Sequence, residues 1–66
     1  MKVDTIEQLS VRNEKMLIIK LPSEVIEVGD TIISNADGLT YIVNGIIMPT
    51  NPLQLNTITL LVTQVN

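Results

Sequence analysis

The sequence predicts a small all-β domain, either a meander or a partly open β-barrel of five to six short strands. Three observations point there. Ile, Val and Thr fill 24 of 66 positions, and β-branched side chains suit a pleated, half-buried strand. Turn dipeptides punctuate the apolar runs at Gly29-Asp30, Asp37-Gly38, Asn44-Gly45 and Asn51-Pro52. Apolar doublets recur every fourteen residues, at Ile18-Ile19, Ile32-Ile33, Ile46-Ile47 and Leu60-Leu61. One strand plus its turn fills such a unit. A heptad coiled coil would share the beat, but its companion positions hold Glu14, Asn35, Pro49 and Asn56. Polar seams and prolines rule it out.

The 66 residues read as a single domain. Residues 1–14 are an N-terminal arm, a strand or a short helix. Asp4-x-x-Glu7 fits a capping box, with Ile6, Leu9 and Asn13 following at helical spacing. Leu9-Ser10-Val11 equally alternates, and would pair with residues 16–21 across the turn Arg12-Asn13-Glu14-Lys15. The strand is the preferred reading.

Residues 15–21 form the next strand, ended by Pro22. Leu17, Ile19 and Leu21 face its core, with Met16 and Ile18 outward. Residues 25–28 form a short strand, and Gly29-Asp30 turns it into residues 31–34. Asn35-Ala36-Asp37-Gly38 is a tight turn in which Gly38 takes positive φ. Residues 39–43 follow, where Tyr41 shares a face with Leu39 and Val43 and keeps its hydroxyl at the rim. Asn44-Gly45 turns the chain into residues 46–48, and residues 49–52 form a rigid loop. Residues 54–65 hold the longest strand, with Ile58, Leu60 and Val62 inward.

Composition removes most chemistry. There is no Cys and no His, so zinc lacks its usual ligands. Ser10, Ser23 and Ser34 lack an imidazole base. Glu24, Glu27 and Asp30 sit near a turn, where carboxylates are simply solvated. The Asn35–Gly38 turn matches only the tail of a calcium loop. The three glycines are too far apart to cradle a phosphate. The expectation is no enzyme, no metal and no cofactor.

Charge speaks to partners. Four Lys/Arg stand against seven Asp/Glu, net −3, and nothing basic follows Lys20. With one aromatic, Tyr41, neither phosphate neutralisation nor base stacking has its usual means. Nucleic acid is therefore disfavoured. No apolar run approaches the ~18 residues of a membrane span. The first residues are polar and acidic, unlike a signal peptide. The expected location is the cytoplasm, or a virion.

The doublets point to an interaction. Neighbours on a strand face opposite ways, so one member of each doublet leaves the core. Short domains without disulfides or metals commonly gain stability by oligomerising. The expectation is a non-enzymatic assembly protein that binds itself, another protein, or both. Its candidate interface residues are Met16, Ile18, Ile33, Ile47, Leu61 and Val65. A monomeric adaptor or regulator using a sheet edge is the alternative.

The segment IEVGDTIISNADGLTYIVNGII, residues 26–47, resembles small β-barrels of bacteriophage virions of the head–tail joining kind. It is also similar to the second, barrel domain of translational GTPases, where Val-Gly-Asp opens a strand. The first resemblance implies a structural subunit that grips its neighbours. The second implies contact with RNA or a partner protein. Neither implies catalytic residues.

Overall fold

A computed structural model describes residues 1–22, 24–48 and 56–65. It is all-β. Six strands form one curled sheet, a half-barrel: β1 (Lys2–Val3), β2 (Thr5–Val11), β3 (Glu14–Lys20), β4 (Thr31–Ser34), β5 (Thr40–Ile47) and β6 (Thr57–Gln64). Their spatial order is β1-β4-β5-β6-β3-β2. All neighbours are antiparallel except β1 and β4.

The chain start is strand, not helix. Thr5–Val11 pairs with Glu14–Lys20 as a hairpin, and Arg12 and Asn13 adopt φ of 49° and 68° in its two-residue turn. Positive φ at both central positions matches the right-handed twist of the flanking strands. The β3 ladder decides it, since residues 5–11 pair with β3 while Leu9 and Val11 themselves stay exposed.

The strand order explains the half-barrel. β4, β5 and β6 are a three-strand meander, but β3 pairs with β6 rather than with β4. Residues 21–30 must therefore cross one end of the sheet. The predicted strand at residues 25–28 does not form there. Its apolar residues act singly instead: Ile26 is buried, whereas Val25 and Val28 are exposed. Gly29 at φ 98° turns the chain, and Gly29 N–H donates to the Val43 carbonyl at 2.7 Å.

Two further expectations change. Asn44-Gly45 is not a turn between two strands. β5 runs through it, with an irregular register between Val43 and Gly45. β6 pairs on both sides of that bulge, so the ladder continues and the chain need not reverse. Leu21 is not core but 53 % exposed. β3 ends at Lys20, and Leu21 N–H bonds the Asn56 carbonyl beyond the sheet. Leu39 likewise precedes β5 and is exposed. The predicted loop at residues 49–52 and the start of the last strand at residues 54–55 lie outside the described residues, as does Ser23.

Strand alternation builds the core. Leu17 and Ile19, Ile32, Tyr41 and Val43, and Ile58, Leu60 and Val62 all point inward and are buried. Cross-strand register stacks them: Leu17 against Leu60, Ile19 against Ile58, Val43 against Val62 and Ile32 against Tyr41. Val3 and Ile26 complete this cluster. Each doublet divides as the sequence implied: Ile19, Ile32, Ile46 and Leu60 turn inward, and Ile18, Ile33, Ile47 and Leu61 turn outward.

Candidate interaction face and the polar seam

The outward residues are not scattered. Register lines up Leu9, Met16, Leu61 and Gly45 across β2, β3, β6 and β5. The next outward row is Glu7, Ile18, Thr59 and Ile47. Leu9 and Ile47 are exposed, and Met16, Ile18 and Leu61 are half-buried by one another. Gly45 opens a space in the first row that Leu61 occupies. A Cβ there would stand 3.1 Å from Leu61 Cδ1. The result is an apolar strip over four strands on the convex outer side of the curled sheet.

Four of the six predicted interface residues, Met16, Ile18, Ile47 and Leu61, meet in this strip. Ile33 and Val65 do not join it. Ile33 faces Thr40, and Val65 N–H bonds the Thr40 carbonyl, so these two lie at the far corner of the same outer surface. The row of Thr31, Ile42 and Thr63 separates them from the strip. Leu9 belongs to the strip but was not among the predicted residues. Its pairing with Met16 depends on the hairpin register, which periodicity alone left open.

One end of the half-barrel carries a polar network. Tyr41 has a fully buried ring, and its hydroxyl donates to Asp37 Oδ2 at 2.6 Å. Lys15 Nζ donates to the same hydroxyl at 2.7 Å and lies 4.8 Å from the ring centroid. It also forms an ion pair with Asp37 at 3.9 Å. Gln8 Nε2 donates to Asp37 at 3.0 Å, and Leu39 N–H donates to its other oxygen at 2.9 Å. The Asn35–Gly38 turn is thus tied to β2, β3 and β5 at once.

The same network closes the seam between β2 and β4. Ser34 is fully buried, with its hydroxyl 2.7 Å from Thr5 Oγ1 and 3.3 Å from Gln8 Nε2. Asn35 accepts from Thr5 N–H and donates to Asp4 Oδ1. Side chains here do what ladder bonds do elsewhere. Among the described residues, no buried side-chain polar atom lacks a partner. In the sequence alone Ser34 is a serine without a base and Asp37 a turn residue. Their partners Thr5 and Gln8 lie 26 to 29 positions away, which no local motif reveals.

The network is a latch rather than acid–base machinery. The Tyr41 hydroxyl, followed by the Leu39 amide, Gln8 and Lys15, holds the Asp37 carboxyl down from 3.8 to about 2. A carboxylate that acidic is a weak base at neutral pH. Linkage sets a pH dependence. Because the folded value lies below the unfolded one, the stabilisation is complete above the unfolded value of 3.8 and disappears as pH falls through about 2. Acid unfolding followed by circular dichroism should show stability declining across that window. In Asp37→Asn the decline across it should flatten. An unchanged profile would remove Asp37 from the latch.

At the opposite end lies an open apolar groove of about 280 Å³, lined by Leu21, Val25, Ile26, Ile46, Met48 and Ile58. Among the described residues, no helix is long and apolar enough to cross a membrane. No group of three or more carboxylates there could hold a metal ion. No protein-family model, curated protein or solved structure matches this chain.

Proposed function

We propose that this protein is a non-enzymatic structural subunit that assembles by covering the outer face of its half-barrel. The observation that carries the reading is the strip of Leu9, Met16, Ile18, Leu61 and Ile47 on four adjacent strands. Contiguous exposed apolar patches on small domains are contact surfaces. The core beneath is small, and a chain of this length gains much of its stability from further burial. The resemblance of residues 26–47 to virion barrels supports a particle component, in a virion or in the cytoplasm. Binding is to protein. The acidic balance and the lone tyrosine leave little to hold nucleic acid.

The test is mass in solution. Light scattering over a concentration series should give an assembly larger than the 7.3 kDa chain. Met16→Glu and Ile47→Glu should each weaken association about thirtyfold or more, as charge buried at an interface centre does. Both positions face outward, so unfolding of the dissociated chain should move little, while the midpoint at assembling concentrations should fall as association is lost. A monomer at every concentration would sink the reading. It would favour the adaptor instead, in which the edge of β2, held at the seam by Thr5 and Gln8, opens to accept a partner's strand.

A further inference from the structure

The outer face carries a charge pattern that suits one particular occupant. Along β3 the outward residues, in order, are Glu14, Met16, Ile18 and Lys20. This is an acidic end, two apolar residues and a basic end. Glu14 and Lys20 are both exposed. Among the described residues, the one ion pair is that of Lys15 with Asp37, so neither end of the stripe is neutralised within the chain. Read in reverse, the stripe is its own complement.

We infer that the partner on this face is a second copy of the chain, packed sheet on sheet about a two-fold axis that runs across the strands. This rests on the reading of the outer face as an assembly surface. In an isologous pair, residue i meets j and j meets i. An axis across the strands lays β3 antiparallel on its copy. Met16 then meets Ile18 of the second copy, and Glu14 meets Lys20 at both ends. On β6, Leu61 then lies over Thr59 of the second copy. The β2–β3 turn with Arg12 lies over the start of β2, beside Asp4. Glu7 and Leu9 lie on β2, which curves away from the contact and leaves the Glu7 carboxylate in water.

A two-fold with its axis along β3 itself is disfavoured by the same charges. It would stack Glu14 on Glu14 and Lys20 on Lys20. Face-packed sheets cross at about 30°. That angle moves the strand ends apart by about one strand spacing, within the reach of Glu and Lys side chains. The footprint is modest. The outer face of a curled sheet is convex, so contact centres on β3 and β6, roughly 10 by 23 Å. Two copies then bury on the order of 500 Å², below the ~1,000 Å² of stable specific interfaces and in the range of weak, transient ones. The dimer is therefore one that dilution separates.

Charge reversal tests the geometry. Sedimentation velocity at low ionic strength would compare the unaltered protein with Glu14→Lys, Lys20→Glu and the double variant. Each single variant turns two attractions per dimer into two repulsions, and should raise the dissociation constant about tenfold. The double variant should return it to near the original value. Added salt should shrink all three differences. If Met16→Glu dissociates the assembly while both single reversals leave it intact, this two-fold is wrong and the outer-face reading stands. If the unaltered protein is monomeric throughout, both fail. Circular dichroism on each variant separates loss of dimer from loss of fold.

Discussion

Leu60→Ala should destabilise the fold by about 3–4 kcal/mol, and Leu61→Ala by about 1 kcal/mol or less. The two leucines are chain neighbours on β6, so composition and propensity are held constant. Leu60 is 0 % exposed and stacks between Leu17 and Ile46 at the centre of the core. Its truncation loses transfer free energy and leaves a cavity that close-packed neighbours do not refill. Leu61 is half-buried on the outer strip over Gly45, where water can enter. A domain of this size is stable by only about 3–10 kcal/mol, so Leu60→Ala should leave a large unfolded fraction. Urea unfolding followed by circular dichroism, below the concentration of association, reads both values. Equal losses at the two positions would overturn the division of inner and outer faces on which the candidate interface depends.

Ser34→Ala should cost about 1–3 kcal/mol, because it removes a buried hydroxyl whose partners stay behind. Ser34 holds Thr5 Oγ1, Gln8 Nε2 and the Ala36 N–H. No ladder joins β2 to β4, whose own ladder partners are β1 and β5. The effect should also be local. Hydrogen exchange should accelerate at the Thr5 amide, which bonds Asn35 across the seam, before it changes at β6. Uniform acceleration, or none, would mean that the seam is held by something other than these side chains. Opening this edge would also expose β2, the strand that the adaptor reading needs.

Much of this architecture is legible in the residues, for a local reason. β-Branched composition, period-two alternation and turn chemistry act within a few positions. They place β3, β4 and β6, the turns at Gly29 and Gly38, and the inward set Leu17, Ile19, Ile58, Leu60 and Val62. The errors came where a tertiary neighbour decides. Asn44-Gly45 has the chemistry of a turn, yet β6 keeps both flanks paired and makes it a bulge. Residues 25–28 have the composition of a strand, yet no free edge is offered to them on their path across the end of the sheet. Leu21 continues the inward alternation, yet the sheet stops one residue earlier.

The short, acidic, aliphatic chain by itself determined that the fold is all-β and that each apolar doublet must divide between two faces. Both follow from geometry that every strand shares. Only the tertiary structure decided which outward residues are neighbours. Register across four strands gathers Met16, Ile18, Ile47 and Leu61 with Leu9, and sends Ile33 and Val65 to a far corner. Strand order also brings Ser34 to Thr5 and Asp37 to Lys15. Pairing is a long-range choice, fixed by which side chains pack against each other once the chain has closed on itself, and it leaves no periodicity behind in the sequence.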